Sequence, residues 1–182
     1  VIIRSTCSVN SFAEFADFTN DGYPDVAISL PGTPSQLLIL INGGMSGTTW
    51  SGFTASRQIP IGNTSAGLAV GDLDGDGDID IVVANKEDDT ISVIENIWNI
   101  DSSIGFTKLA TDIPTDFYGD AATLAALPTD VAIGNFNTPT SIDIAVANSG
   151  DGMLAIINGP ILSASFMPSG SNYATGGGAQ SV

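Results

Sequence analysis

Residues 70–85 read VGDLDGDGDIDIVVAN, and this stretch decides the predicted fold. Five aspartates alternate with other residues from Asp72 to Asp80, and two glycines lie among them. The loop is preceded by GLAV and followed by IVVA, and such short apolar runs next to turn residues are typical of buried strands. The stretch therefore predicts a tight acidic loop between two β-strands.

The acidic loop has the composition of a calcium site. Carboxylates at loop positions 1, 3, 5, 7 and 9 repel one another unless a cation lies among them. Several hard oxygen donors select Ca²⁺ over softer metals, and Gly77 at position 6 permits the sharp turn that directs the carboxylates inward. We expect the ligands to be the side chains of Asp72, Asp74, Asp76 and Asp80 and the backbone carbonyl of Asp78.

Other kinds of acidic loop are less favoured for this stretch. A solvated acidic turn without metal remains the alternative to a calcium site. An EF-hand is disfavoured, because Val83 stands at position 12, where an EF-hand has a bidentate glutamate. The flanks GLAV and IVVA are strand-like, and this disfavours both an EF-hand and other helical calcium modules.

Two other segments repeat the pattern more loosely. Residues 15–30 read FADFTNDGYPDVAISL, and residues 133–148 read IGNFNTPTSIDIAVAN. In each copy a short apolar stretch leads into a polar loop, which ends in an aspartate followed by a second apolar run. Four short strands in a unit of roughly 55 residues are typical of a β-propeller blade.

The first copy retains part of the ligand set, with acidic residues at positions 1, 5 and 9 and the glycine at position 6. We expect a calcium site of lower affinity, in which Thr19 is a weak neutral ligand. Its ligands are expected to be Asp17, Thr19, Asp21, Tyr23 and Asp25. The alternative is an Asx-type turn held by its own hydrogen bonds. The third copy, residues 135–143, keeps only the charge of Asp143 and predicts an empty structural loop.

The three copies predict an all-β fold. We expect four-stranded antiparallel blades of β-propeller type, about three repeats plus a stub, in a single domain of residues 1–182. The repeats are expected at approximately 10–64, 65–127 and 128–182, with an inserted loop near 110–130 that can form one helical turn. Three blades and a stub do not close into a ring. We therefore expect an open stack that is either a piece of a larger protein or completed by neighbouring chains through its sheet edges.

The charge balance narrows the choice of partners. The chain has 20 acidic and 4 basic side chains and a formal net charge of −16. Nucleic acids and anionic membranes are therefore unfavourable partners, since both require clustered lysine and arginine. No apolar run reaches the roughly 18 residues of a membrane helix, so we expect no membrane insertion.

The counts of histidine and cysteine exclude several chemistries. The absence of histidine excludes histidine-based hydrolases and His-ligated zinc. The single cysteine, Cys7, excludes an internal disulfide and a thiolate zinc cluster. We expect Cys7 to be a small buried or edge residue, and an intermolecular disulfide is the alternative.

The repeat resembles the FG-GAP or VCBS repeat family, which forms the blades of integrin-α-like β-propellers. The resemblance rests on residues 70–85, on ISVIEN at 91–96, on GFT at 105–107 and on the two weaker copies. It implies four-stranded antiparallel blades around an axis, with Ca²⁺ in the hairpin loop. It places the metal ligands at Asp72, Asp74, Asp76, Asp78 and Asp80, and in the first copy at Asp17, Asp21 and Asp25.

Composition and resemblance together favour a non-catalytic, calcium-binding extracellular module for adhesion or structural assembly. We expect protein partners or self-assembly through open sheet edges, including assembly into an extracellular filament. The sequon Asn63-Thr64-Ser65 is weak support for a secreted or cell-surface location.

The alternative function is that of a lectin-like propeller fragment, which binds glycans by stacking aromatic side chains on sugar rings. The candidate side chains are Trp50, Trp98, Tyr118 and Tyr173. An enzyme is disfavoured, because no nucleophile elbow or phosphate loop occurs.

Overall fold

The computed structural model describes residues 11–98, 105–116, 125–137, 141–162 and 169–175. These residues form fifteen β-strands and no helix, which confirms the predicted all-β class. No apolar helix long enough to cross a bilayer occurs in the described ranges. Cys7, Tyr118 and most of the predicted stub and helical turn lie outside them.

The first sheet, blade 1, is an antiparallel meander with the strand order β1-β2-β3-β6. A small two-stranded hairpin, β4-β5, is inserted between its third and fourth strands. The bounds are β1 (Phe12–Ala16), β2 (Asp25–Leu30), β3 (Gln36–Asn42), β4 (Met45–Ser46), β5 (Thr49–Trp50) and β6 (Phe53–Pro60).

Blades 2 and 3 repeat the same meander. Blade 2 has the order β10-β9-β8-β7, and the short β11 also pairs with β9. Its bounds are β7 (Ser65–Gly71), β8 (Asp80–Asn85), β9 (Thr90–Asn96), β10 (Phe106–Lys108) and β11 (Ile113–Pro114). Blade 3 has the order β12-β13-β14-β15. Its bounds are β12 (Pro128–Gly134), β13 (Asp143–Asn148), β14 (Met153–Ile157) and β15 (Gly170–Ala174).

Blade 2 lies between the other two blades and is buried on both faces. Ile81 and Val83 of β8 belong to the apolar core shared with blade 1, whereas Val82 and Ala84 belong to the core shared with blade 3. All four side chains are fully buried, and each Val or Ile contributes about 1.5–3 kcal/mol on burial. Burial on both faces explains why this strand reads as an uninterrupted apolar run in the sequence.

The first strands of the blades approach one another closely. β7 packs against β1 on one side and against β12 on the other. A Cβ atom on Gly67 of β7 would lie 2.6 Å from the Cα of Asp130 in β12, so this position requires glycine. The side-by-side blades do not form a closed ring within the described part of the chain.

In the first two loops, residues 17–25 and 72–80, one side chain is buried in the interface with the next blade. Phe18 is 0% exposed and packs edge-to-face on Phe106 of blade 2, with ring centroids 5.7 Å apart. Leu73 is 1% exposed and belongs to the core shared by blades 2 and 3. Phe136, at the same loop position after β12, is 51% exposed. In these two loops the second residue therefore fills the interface with the following blade, and we call it the plug. Phe136 holds the same position but is half-exposed among the described residues, and we call it the bare plug.

The repeat boundaries at approximately 10–64, 65–127 and 128–182 and the single-domain assignment stay predictions.

Candidate metal centre

The three acidic loops join the first and second strands of their blades. Loop 1 is residues 17–25, loop 2 is residues 72–80 and loop 3 is residues 135–143, of which 138–140 lie outside the described residues. The last aspartate of each loop begins the second strand of its blade and is buried. These aspartates are Asp25, Asp80 and Asp143.

Each of these buried aspartates holds its loop against the third strand of the same blade. In loop 2 the Leu73 N–H donates to Asp80 Oδ2 and the Asn96 N–H donates to Asp80 Oδ1, both with N···O distances of 2.8 Å. In loop 1 the Phe18 and Asn42 N–H groups donate to Asp25 at 2.9 and 2.7 Å. We call this arrangement the aspartate clamp.

The clamp is also present in loop 3, where the metal-ligand pattern is lost. The Phe136 and Gly159 N–H groups donate to Asp143 at 3.0 and 2.9 Å, and the Asn137 N–H adds a third bond at 3.2 Å. The clamp therefore does not depend on the other acidic residues of the loop. This supports the prediction that loop 3 is a structural turn.

The other aspartates of loop 2 accept hydrogen bonds from backbone N–H groups of the same loop. Asp72 accepts the N–H groups of Gly75 and Gly77 at 2.7 and 3.1 Å, and both glycines have positive φ angles of 83° and 94°. Glycine is the residue that adopts this conformation without strain. Asp74 in turn accepts the Asp76 N–H at 3.2 Å.

Three carboxylates of loop 2 converge on one point. One carboxylate oxygen from each of Asp72, Asp74 and Asp80 lies within 4.8 Å of the other two, and this is the one such acidic group in the described ranges. Asp76 is not part of this trio; its Oδ1 accepts the Asp78 N–H at 2.8 Å. The structure thus brings together three of the four predicted side-chain ligands of loop 2.

Three carboxyl groups at this site have raised pKa values, chiefly because they are buried. Burial, opposed by the two backbone N–H donors and reinforced by Asp74 and Asp76, raises the pKa of Asp80 to about 7. Burial, with the nearby charges of Asp76 and Asp72, also raises the pKa of Asp74. Glu95 of β9 behaves likewise, because burial and the charges of Asp74 and Asp76 raise its pKa. A bound cation would relieve this repulsion.

Loop 1 has a similar backbone path with fewer charges. Asp17 accepts the N–H groups of Asp21 and Gly22 at 3.0 and 2.7 Å, and Asp21 accepts the Tyr23 N–H at 2.9 Å. Burial, with the charges of Asp21 and Asp17, raises the pKa of Asp25. The hydroxyl oxygen of Thr19 is buried and has no hydrogen-bond partner.

The donor atoms fit Ca²⁺. Loop 2 supplies a trio of carboxylates, and loop 1 supplies carboxylates together with the unpartnered Thr19 hydroxyl. Hard oxygen donors of this kind suit Ca²⁺ better than a soft metal. The complete ligand sets of Asp72, Asp74, Asp76, Asp78 and Asp80, and of Asp17, Thr19, Asp21, Tyr23 and Asp25, stay predictions.

Three residues that the sequence analysis did not assign contribute to the site. Glu95 adds a carboxyl group beside loop 2, and Asn96 and Asn20 link the loops. For Glu95 the signal was a single charge in the apolar run ISVIEN, where the other two copies have only apolar side chains before the final asparagine. For Asn96 the signal was the asparagine that ends the third strand in each of the three copies.

Comparison with known proteins gives one match. Residues 14–83 match the model of a family described as FG-GAP-like repeat. The matched segment begins in β1, runs through blade 1 and ends in β8, so it contains loops 1 and 2. No curated protein and no solved structure matches the chain.

We expect the calcium-free chain to become less stable as the pH rises from about 5 to about 8. The folded-state pKa of Asp80, about 7, lies above its ordinary value of 3.8. Between these values the unfolded chain has lost a proton that the folded chain retains, so a rising pH favours unfolding. The measurement is the urea midpoint at both pH values with excess chelator.

Saturating Ca²⁺ should remove this pH dependence, because the ion favours the ionised carboxylates. A calcium-free chain that gains stability over the same pH range would contradict the raised pKa of the clamp.

Proposed function

Residues 14–83 match the FG-GAP-like repeat family, and from this match we propose that the chain is a non-catalytic, calcium-binding extracellular module for adhesion or structural assembly. FG-GAP repeats are typical of extracellular adhesion-type modules, are generally non-catalytic and often bind calcium. The observation that carries the proposal is the convergence of Asp72, Asp74 and Asp80.

In this proposal Ca²⁺ is a structural ion. When bound, it supplies positive charge that neutralises the acidic loop. We propose that the trio holds the ion in loop 2 together with the Asp76 carboxylate and the Asp78 carbonyl, and that a weaker set around Thr19 holds an ion in loop 1. Because the ion binds the folded loop and not the unfolded chain, binding adds to the free energy of unfolding.

A non-catalytic role agrees with how the acidic side chains are used. The carboxylates of Asp25, Asp80 and Asp143 each accept two or more backbone N–H groups. They are therefore committed to holding loops in place. The chain has no histidine that could act as a general base at neutral pH.

Two apolar features favour association with protein. The first is on blade 1, where Val26, Leu38 and Leu40 form a small cluster that is itself buried. Phe15, which pairs directly with Val26 across the two strands, is 66% exposed beside it. The second is the bare plug Phe136, since its counterparts Phe18 and Leu73 are each covered by a following blade. We propose that another blade, supplied by a second copy or a protein partner, covers these surfaces.

Calcium binding is tested by titration calorimetry on the 182-residue chain. Asp74→Asn should weaken the tighter binding step at least about tenfold, because it removes one carboxylate of the trio. Glu87→Gln removes the same charge from an exposed turn and should leave both steps unchanged. A wild-type chain that takes up no calcium, or a Glu87→Gln variant as weak as Asp74→Asn, would contradict the site.

Association is tested by light scattering over a range of protein concentrations in Ca²⁺. We expect the wild-type chain to form larger species and Phe136→Glu to reduce them strongly, because a charge at the bare plug cannot be buried. Met45→Glu, on the exposed β4-β5 hairpin, is the matched control and should associate normally. A wild-type chain that is monomeric at every concentration rules out self-association, and a partner blade from another protein would then be sought.

A second candidate function is glycan binding at Trp50. This side chain is 55% exposed, and its indole N–H donates to Asn42 Oδ1 at 2.8 Å. It also packs edge-to-face on Phe53 with ring centroids 5.5 Å apart, so its orientation is fixed while one surface stays open. Trp98, by contrast, packs on Phe106 and the core between blades 1 and 2. Tyr173 is exposed, and Tyr118 lies outside the described residues.

A glycan array followed by titration of any hit separates this candidate from adhesion through protein. Trp50→Ala should abolish sugar binding, because it removes the stacking surface, whereas Phe136→Ala removes an exposed aromatic ring elsewhere and should not. If no sugar binds at millimolar concentration, the hypothesis of glycan binding at Trp50 is rejected.

A further inference from the structure

Loops 1 and 2 are in direct contact although they belong to different blades. The side-chain amide of Asn20 in loop 1 donates to Asp78 Oδ1 in loop 2 at 2.8 Å, across 58 residues of sequence. Asp78 is 1% exposed, whereas Asn20 lies on the surface. The first repeat therefore reaches into the loop of the second.

The residue type at position 4 of each loop explains why the contact runs in this direction. Asn20 has a φ angle of 57°, and Gly75 at the same position of loop 2 has a φ angle of 83°. Asparagine and glycine are the residues that adopt this left-handed conformation most readily. Of these two residues only asparagine has a side chain. Loop 1 can therefore donate a side-chain hydrogen bond to the loop of the next blade from this position, whereas loop 2 cannot.

A second bridge connects the same two loops. The side-chain amide of Asn96 donates to the Phe18 carbonyl of loop 1 at 2.9 Å and to the Ile79 carbonyl of loop 2 at 3.1 Å. The backbone N–H of the same asparagine belongs to the clamp of Asp80. Asn96 therefore ties both loops to the end of β9 through hydrogen bonds that are buried or partly buried.

We propose that Asn20 is a positioning residue for the calcium site of loop 2, and that ion binding in the two loops is positively coupled. This inference rests on the proposed calcium binding. Asn20 holds the Asp78 side chain, the Asp78 N–H holds the Asp76 carboxylate, and the Asp78 carbonyl is itself an expected ligand. An ion in loop 1 fixes residues 17–25, so it orders Asn20 and prepares loop 2.

The buried hydroxyl of Thr19 is an independent reason to expect an ion next to Asn20. This oxygen has no hydrogen-bond partner, and it occupies the loop position that Asp74 occupies in the trio of loop 2. An unpartnered buried oxygen is costly unless something binds it. Coupling between two binding sites is reciprocal, so loop 2 must favour ion binding in loop 1 by the same factor.

The test is Asn20→Gly, which preserves the left-handed backbone and removes only the amide. We expect calcium affinity at loop 2 to fall about tenfold, as is usual for a lost outer partner of a metal ligand, and the cooperativity to disappear. The measurement is calorimetric titration of the full 182-residue chain. Asp17→Asn, which removes a ligand of loop 1, identifies the step that belongs to loop 2.

Two further variants separate positioning from general destabilisation. Thr64→Gly changes another left-handed residue, at the opposite end of β7 from loop 2, and should leave both binding steps unchanged. Asp78→Ala keeps the backbone carbonyl but removes the acceptor, so Asn20→Gly should have no further effect in that background. Additive losses, or an equal loss in Thr64→Gly, would overturn the role of Asn20.

The outcomes also separate this inference from the proposed function. If the wild-type chain binds no calcium, both are overturned. If it binds two ions and Asn20→Gly retains loop 2 affinity and cooperativity, calcium binding stands and only the coupling is overturned.

Discussion

The aspartate clamp fixes each of the three loops against the third strand of its blade. A buried carboxylate at the start of the second strand accepts one N–H from its own loop and one from the end of the third strand, or just after it. Hydrogen bonds between charged and neutral groups in a buried setting are strong, and a lost partner leaves a costly unpaired group. The clamp therefore fixes where the loop lies, and this fixed path lets the other carboxylates of loop 2 converge.

The clamp also explains why the acidic loops are costly without an ion. Desolvation raises the pKa of Asp80 to about 7 although two N–H groups favour its charged form. Loop 3 keeps the clamp of Asp143 without the neighbouring acids, and no comparable crowding arises in its described part. The clamp alone is enough to hold such a turn. The other acidic residues of loops 1 and 2 are therefore not needed for the turn itself, and their presence is consistent with a bound cation.

Local pattern was enough to predict much of this architecture. Runs such as IVVA and the spacing of Asp72 to Asp80 predicted the strands and the loop, because both depend on residues close in sequence. The contacts of Asn20, Asn96 and Glu95 could not be predicted, because they arise only when blades pack side by side. For the same reason the sequence could not distinguish Trp98, which is packed between blades, from Trp50, which is exposed.

Packing between blades also links the acidic loops to association. Phe18 and Leu73 sit directly after the first residue of their loops and fill the core of the next blade, so the loop path and the blade interface are set by the same short segment. An ion that fixes the loop fixes the plug as well. Phe136 holds the same loop position in blade 3, and none of the described residues covers it fully. Because its loop is held by the clamp of Asp143, the shape of that surface does not require an ion in loop 3.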